Sequence, residues 1–229
     1  MSVDHAFLAG VGLFEGLGDV ALDDVLSAAT PRHVPAGFAL FEQGEAPRAL
    51  PLVTQGRVKV GHLSPDGRPL TVAFLGPGEI AGCAAVFRSV PYPATATAVV
   101  DTVVLVWTKP QIDALMERHP RLATNALRIV GGRAEAMLRR LQELTTESAG
   151  RRIARALLRL AREAGRSVEA GVQVDFALSR QDLAELSGAT LYTVSRTLRA
   201  WERSGVVRIG RQRVVVRDLN GLARLAETP

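Results

Sequence analysis

The residues best suited to chemistry with a partner molecule lie in one segment, GATLYTVSRTLRAWERSG, which spans residues 188–205. If this segment is helical, its polar and basic side chains share one side, namely Tyr192, Arg196, Arg199 and Arg203. The opposite side is apolar and carries Val194, Leu198 and Trp201. Guanidinium groups form forked hydrogen bonds with phosphates and with guanine bases. The pattern therefore predicts either a solvated surface helix or a helix that contacts a polyanion.

The distribution of charge favours the polyanion. The chain has 229 residues and a formal net charge of +5. Residues from 150 onward contain fifteen arginines and eight acidic residues, a balance of +7. Residues 1–149 contain thirteen basic and fifteen acidic residues, a balance of −2. A basic C-terminal third beside a nearly neutral remainder predicts that a polyanion meets that third.

The surrounding sequence, LSRQDLAELSGATLYTVSRTLRAWERSG, predicts two helices joined by a tight turn. Ser179 followed by Asp182 forms a capping box for the first helix, and Thr190 is a suitable N-cap for the second. Three residues then allow the two helices to cross closely. Ala184 is small, Gly188 tolerates a left-handed turn, and Val194 fills the angle between the helices. Together these features predict a helix-turn-helix, and they favour the polyanion over the solvated helix.

The downstream sequence SGVVRIGRQRVVVRD alternates apolar and polar residues around Gly210 and predicts a basic β-hairpin, the wing of a winged helix-turn-helix. The second helix would then enter the major groove of DNA, with Arg196 placed to read a guanine. Arg180 and Arg199 are better placed for phosphates. The predicted DNA-binding residues are Ser179, Arg180, Gln181, Thr190, Leu191, Tyr192, Thr193, Ser195, Arg196 and Arg199.

The N-terminal half combines short helical patterns with many short strands. Strand-like runs separated by turn residues extend from about Arg32 to Trp107, and Pro65-Asp66-Gly67 is the clearest hairpin turn. The predicted fold class is α+β, with an N-terminal antiparallel β-roll of the jelly-roll type, a long central dimerisation helix and a C-terminal winged helix-turn-helix.

The central helix is predicted from Pro120 to about Thr146. Its apolar residues recur in steps of three and four, namely Leu127, Val130, Ala134, Met137, Leu141 and Leu144. Such spacing is typical of a helix packed on its own domain or of a homodimer seam, and we favour the seam. The predicted domains are a sensor roll at 1–119, the dimerisation helix at 120–148 and the DNA-binding domain at 149–229.

The whole arrangement resembles the Crp/Fnr family of bacterial transcription regulators. The similarity is most specific in FEQGEAPRALPLVTQGRVKV, in LGPGEIAG and in the helix-turn-helix. The resemblance implies a homodimer joined through the central helix and a pseudo-palindromic operator in double-stranded DNA. It also implies RNA polymerase as a partner and a small-molecule effector held between the roll and the central helix.

The sequence departs from the cyclic-AMP-binding members at the pocket. Where those members have Gly-Glu, an Arg-Ser pair and Thr-Ser, this chain has Gly82-Cys83, Tyr92-Pro93 and Met137-Leu138. Without that arginine, the cyclic phosphate would lose its charge-assisted hydrogen bonds, so cyclic AMP is not the expected effector. The predicted effector pocket is mostly apolar and comprises Gly82, Cys83, Ala84, Ala85, Tyr92, Pro93, Ala94, Met137 and Leu138.

The identity of the effector stays open. The single cysteine excludes an iron–sulfur cluster, and we expect no metal site. The stretch PYPATATAVV is similar to regulators of nitrate respiration and nitric-oxide response, which makes that type a closer match than the cyclic-AMP type. Some of these regulators sense gas through haem, so haem is an alternative here. Its candidate axial ligands are His5, His33, His62, His119 and Cys83, and Cys83 is also a candidate redox-sensitive thiol.

The recognition helix departs from the family as well. Ser195-Arg196 matches the common pattern, but Tyr192 stands where a cytosine-reading Glu is usual. The resemblance implies that the guanine contact of Arg196 carries over, whereas the rest of the half-site stays open.

Two other classes of function fit the sequence less well. A small-molecule- or haem-binding sensor module whose C-terminal domain mediates protein contacts is the alternative, and salt-dependent DNA binding would separate the two. An enzyme is not expected, because no activated-nucleophile motif or phosphate-cradling Gly-Lys loop is present. No signal peptide or membrane-length apolar run is found either, which predicts a cytoplasmic protein without membrane contact.

Overall fold

In the computed structural model, which describes residues 3–227, the N-terminal region is a β-roll preceded by two short helices. The helices are α1 (His5–Ala9) and α2 (Asp19–Ser27). The strands are β1 (Thr30–Val34), β2 (Ala39–Phe41), β3 (Ala49–Gln55), β4 (Val58–Leu63), β5 (Pro69–Leu75), β6 (Thr95–Ala98) and β7 (Thr102–Thr108). A short helix, α3 (Cys83–Arg88), lies between β5 and β6 and was not predicted.

The strands form two sheets with the orders β1-β7-β3 and β2-β6-β4-β5. The pairs β1–β7, β3–β7, β2–β6 and β4–β6 are antiparallel, which confirms the predicted roll. The predicted hairpin turn between β4 and β5 is also confirmed, since Gly67 has a φ of +78°.

The core of the roll contains buried residues of both sheets and of the flanking helices. Trp107 of β7 is completely buried, and its ring meets that of Phe14 edge to face at a centroid distance of 5.5 Å. Its indole Nε1 donates a hydrogen bond to the backbone oxygen of Val25 at 2.7 Å, so the polar atom of this buried ring is satisfied.

Two helices follow the roll, α4 (Lys109–Arg118) and α5 (Arg121–Thr146). The first turns of α5 are anchored, because Leu122 and Ala126 are buried and the amide of Asn125 donates to the backbone oxygens of Leu13 and Glu15. After Ala126 the helix has no buried side chain.

Up to residue 227, the C-terminal region contains four helices and a third sheet of four short strands. Its elements are α6 (Ala149–Glu163), β8 (Gly165–Val168), β9 (Gly171–Val174), α7 (Arg180–Ser187), α8 (Leu191–Arg203), β10 (Val207–Gly210), β11 (Arg213–Val216) and α9 (Leu219–Glu227). The strands pair in the order β10-β11-β9-β8, so the two predicted hairpins form one sheet. Helix α9 was not predicted, and it packs on α6.

The chain divides into two compact units by its internal contacts. One unit contains the residues up to Arg68 and the segment Ala73–Met137, and the other contains Pro69–Val72 and the residues from Leu138 onward. The division falls within α5, and the predicted boundaries at 119 and 148 stay predictions. Among residues 3–227, no helix is both long and apolar enough to cross a lipid bilayer.

Candidate nucleic-acid interface

The turn between α7 and α8 has the local geometry that the sequence predicts. Ser179 and Asp182 form a reciprocal capping box at the start of α7. Gly188 ends α7 in the left-handed region with a φ of +61°, and the hydroxyl of Thr190 accepts a hydrogen bond from the N–H of Thr193. Val194 is completely buried. These observations confirm the helix-turn-helix.

Arg152 of α6 forms hydrogen bonds with this turn, a contact that the sequence did not predict. The Nε atom of Arg152 donates to the backbone oxygen of Ser187 at 2.8 Å, and one of its terminal nitrogens donates to that of Gly188 at 3.2 Å. The carbonyls at a helix C-terminus lack partners within the helix, and cations are favoured there. Arg152 therefore helps to set the angle at which α8 leaves the turn.

Arg140, near the end of α5, makes a similar contact one residue earlier. It donates to the backbone oxygen of Leu186 at 2.7 Å and to that of Glu185 at 3.0 Å. Burial, followed by the nearby charge of Arg159, lowers the pKa of Arg140. The guanidinium of arginine keeps its proton in proteins, so Arg140 remains a cation at neutral pH.

Helix α8 presents its arginines to solvent. Val194, Leu198 and Trp201 are buried, whereas Tyr192 is 74% exposed. The predicted amphipathic division of the helix is therefore confirmed. The guanidinium carbon of Arg196 lies 5.9 Å from the centroid of the Tyr192 ring, within the range of a cation–π contact. The two residues share one exposed surface at the N-terminal half of the helix.

The remaining predicted DNA-binding residues fall into two groups. Ser179, Thr190 and Thr193 lie at the helix starts, where their hydroxyls take part in capping contacts. The others are exposed or half-buried on α7 and α8, and they are Arg180, Gln181, Leu191, Ser195 and Arg199. The structure thus places the predicted set on the first turns of α7 and on α8, and its role in binding stays a prediction.

The wing adds basic residues that the predicted set did not include. Strands β10 and β11 pair in register from Val207↔Val216 to Gly210↔Arg213, and Gln212 turns the hairpin with a φ of +51°. The arginines of this hairpin are exposed, namely Arg208, Arg211 and Arg213. The sequence identified the wing, and its basic composition was the available signal for these residues.

The predicted effector pocket is only partly assembled within the roll. Cys83, Ala85, Tyr92 and Ala94 are buried, whereas Pro93 is exposed. The ring of Tyr92 packs closely on Gly82, since a Cβ atom at Gly82 would lie 2.5 Å from the ring. Gly82 and Ala84 are half-buried beside these residues.

The thiol at this place is protected. Burial raises the pKa of Cys83, and the nearby charge of Arg133 lowers it by less. Arg133 itself donates to the backbone oxygen of Ile80. A protonated, buried thiol is a poor nucleophile, so the pKa gives no support to a redox-sensitive Cys83.

The predicted seam on α5 is mostly exposed. Leu127 is 75% exposed, and Met137, Leu141 and Leu144 are also exposed, as is Leu138 of the predicted effector pocket. Ala134 is exposed and Val130 is half-buried. This continuous apolar row is available for a partner helix, and the homodimer stays a prediction.

The candidate haem ligands lie in separate places. His5 contacts Asp23 at 2.8 Å, His119 contacts Asp24 at 2.9 Å, and Nδ1 of His62 lies 2.8 Å from the backbone oxygen of Pro93. Within the described part of the chain, no three His, Cys, Asp or Glu side chains form a group that could hold a metal ion. His33 is exposed on β1.

Comparison with known proteins gives two family matches. Residues 31–119 match the cyclic nucleotide-binding domain, and residues 151–225 match the Crp-like helix-turn-helix domain. The chain is similar to the cyclic AMP receptor protein of Thermus thermophilus, with 35% identity over 96% of this chain and 98% of that protein. It is also similar to the nitrogen fixation regulation protein FixK of Azorhizobium caulinodans, with 30% identity over 88% of this chain and 81% of that protein.

Solved structures agree with these relatives. The catabolite activator protein of Thermus thermophilus matches with a TM-score of 0.55 and 35% identity, covering 94% of this chain and 98% of that one. FixK2 from Bradyrhizobium japonicum matches with a TM-score of 0.75 and 25% identity, covering 88% and 98%. None of these relatives is named as a regulator of nitrate respiration or nitric-oxide response, so the expected closeness to that type is not confirmed.

Proposed function

Because the chain belongs to the Crp/Fnr family of transcription regulators, we propose that it regulates transcription by binding a specific DNA sequence as a homodimer. The observation that carries the proposal is the exposed arginine surface of α8, the second helix of a fully capped helix-turn-helix. A solvated helix would not need the turn, the caps and the adjoining basic wing.

The proposed contacts follow from the positions of the side chains. Arg196 lies in the N-terminal half of α8, where the recognition helix of such motifs meets base edges, and its forked guanidinium matches O6 and N7 of guanine. Tyr192 lies against it and orients the fork. Arg180, Arg199 and the exposed arginines of the wing would neutralise phosphates, which fix the position of the protein without reading sequence.

The proposed dimer uses the exposed apolar row of α5. A two-fold axis between two such helices would relate the two copies of α8, so each half of a pseudo-palindromic operator would meet the same residues. RNA polymerase is the protein partner that we propose on the basis of the family. Binding to chromosomal DNA would place the protein in the cytoplasm.

We also propose that a small-molecule effector held by the roll controls DNA binding. One relative is named a cyclic AMP receptor, but the residues of this chain do not fit that ligand. Cys83 offers no carboxylate for the ribose hydroxyl, and neither Tyr92 nor Pro93 can neutralise a cyclic phosphate. An apolar effector, or haem as the alternative, suits this pocket better, and an absorption spectrum with added haem would distinguish the two.

The test is a binding-site selection from random duplex DNA, followed by measurement of affinity against salt concentration. We expect a guanine-containing pseudo-palindrome and an affinity that falls steeply as salt rises. Arg196→Ala should lower discrimination at that guanine by about 5- to 150-fold, the equivalent of about 1–3 kcal/mol, while weak nonspecific binding remains.

Arg224→Ala is the matched control, because Arg224 is an exposed arginine of α9 that pairs with Asp218 at 3.6 Å. Unchanged selectivity of the Arg196 variant would contradict the assignment of the base contact. If the protein did not bind duplex DNA even at low ionic strength, the proposed function would be wrong, and a C-terminal domain that mediates protein contacts would replace it.

A further inference from the structure

A cavity of about 440 Å³ lies within the roll, apart from the predicted effector pocket, with which it shares Tyr92. Its walls come from β1, β2, β3 and β7 and from the loop that joins β2 to β3. The volume falls in the range of small-molecule sites, which are mostly apolar with a few polar groups that orient the ligand.

The floor of the cavity is one face of the β1-β7-β3 sheet. Residues paired across neighbouring strands point to the same side, and successive residues of a strand alternate between sides. The pairs Pro51↔Val106 and Arg32↔Val104 therefore share a face, whereas Trp107 points to the opposite face and into the core. Pro51, Val104 and Val106 make the floor apolar, but Pro51 and Val104 are buried, so the half-buried Val106 supplies most of its accessible surface.

The roof is a rigid aromatic pair. The rings of Phe41 and Tyr92 are stacked, with centroids 3.8 Å apart and planes inclined by 13°. The Tyr92 hydroxyl donates to the backbone oxygen of Ala49, and the backbone N–H of Tyr92 donates to the backbone oxygen of Glu45 at 2.9 Å. The Tyr92 ring is held at both ends and is only 3% exposed, so it forms a rigid apolar wall of the cavity.

The rim of the cavity is positively charged. Arg32 and Arg48 lie on it, and neither forms an ion pair with another residue among 3–227. Glu45 has the one carboxylate on the rim. This carboxylate accepts a hydrogen bond from the backbone N–H of Glu42, within the same loop, at 3.0 Å. Two available guanidinium groups beside an apolar floor complement a ligand that combines an anion with an apolar body.

We propose that this cavity binds a small organic anion with an apolar body, at a site separate from the predicted effector pocket. The anionic group lies between Arg32 and Arg48, and the body lies between the floor and the aromatic pair. Tyr92 links this cavity to Gly82, because its ring packs directly on that glycine. A ligand here therefore touches a residue that also belongs to the predicted effector pocket.

The test compares two fluorescent probes on the full chain. The probes are the anion 8-anilinonaphthalene-1-sulfonate and its uncharged analogue N-phenyl-1-naphthylamine. We expect one tight site per chain and an affinity at least about tenfold higher for the anion, the effect of one charge-assisted contact. The double variant Arg32→Gln, Arg48→Gln should abolish this preference and leave the affinity for the uncharged probe unchanged. Arg68→Gln is the matched control, because Arg68 is exposed and pairs with Asp66 away from the cavity.

A second variant tests the location independently of charge. Ala49→Phe should fill the cavity and abolish the tight binding of both probes, while the thermal unfolding midpoint reports whether the variant folds. Equal affinity of the two probes for the unchanged protein would overturn the proposal. A preference for the anion that persists in the double arginine variant, or in folded Ala49→Phe, would overturn it as well. The outcome is independent of DNA binding.

Discussion

A single charge in the exposed row of α5 should dissociate the proposed dimer. Leu141 is 59% exposed, and complete burial of a leucine side chain is worth about 1.5–3 kcal/mol. Burial of that exposed fraction against a partner would therefore contribute about 1–2 kcal/mol in each chain. Both chains carry the residue, so Leu141→Ala should weaken the dimer by about 2–4 kcal/mol and raise its Kd by about 30- to 1,000-fold. Leu141→Glu should weaken it further, because a carboxylate would be buried without a partner.

Sedimentation equilibrium over a range of concentrations measures this Kd directly. Val20→Glu is the matched control, because Val20 is 77% exposed on α2 and lies outside the row. The control should leave the Kd unchanged. If Leu141→Glu still sediments as a dimer at low micromolar concentration, or if Val20→Glu dissociates the dimer equally, the row on α5 is not the interface.

Two further predictions concern the folded units. Gly188→Ala should lower the free energy of unfolding by about 1–2 kcal/mol through left-handed strain, and by a further amount because the new Cβ would meet Leu144. Gly205 also has a positive φ but has open space around it, so Gly205→Ala should show the strain alone. In chemical denaturation, adding Leu144→Ala to Gly188→Ala should remove the excess loss of unfolding free energy at Gly188. Additive effects of the two substitutions would refute the contact. Because burial raises the pKa of Cys83, its stabilising contribution is complete below the ordinary thiol pKa and is lost as pH rises above it. Above pH 9, the thermal unfolding midpoint of Cys83→Ala should therefore fall less with rising pH than that of the unchanged protein. An identical dependence on pH in the two proteins would contradict this.

The features that the sequence predicts well are those in which neighbouring residues act on one another. The capping box of Ser179 and Asp182 spans only three residues, and the left-handed turn at Gly188 depends on one residue that tolerates it. The burial of Val194 follows in the same way from helical spacing within α8. Local chemistry thus determines the helix-turn-helix almost completely.

The features that the sequence does not predict depend on residues far apart in the chain. Arg152 reaches the carbonyls of Ser187 and Gly188 only because α6 packs beside α7, and no local pattern marks an arginine as a clamp. The cavity in the roll has the same origin, since Arg32 faces Val104 only after β1 pairs with β7. Such arrangements are products of register and topology, which side-chain periodicity alone leaves undetermined.

The proposed dimer contact and the proposed DNA contact are linked through α5. This helix has 26 residues and so extends about 39 Å, but its buried side chains lie only between Leu122 and Ala126. The remainder exposes apolar residues at coiled-coil spacing, an arrangement that monomeric proteins rarely leave open to water. Pairing of two such rows generates a two-fold axis, and the same axis must relate the two copies of α8. The symmetry of a selected operator therefore tests the proposed two-fold dimer without any mutation: a palindrome indicates two symmetry-related copies of α8, whereas a single unrepeated site would show that α8 reads DNA alone.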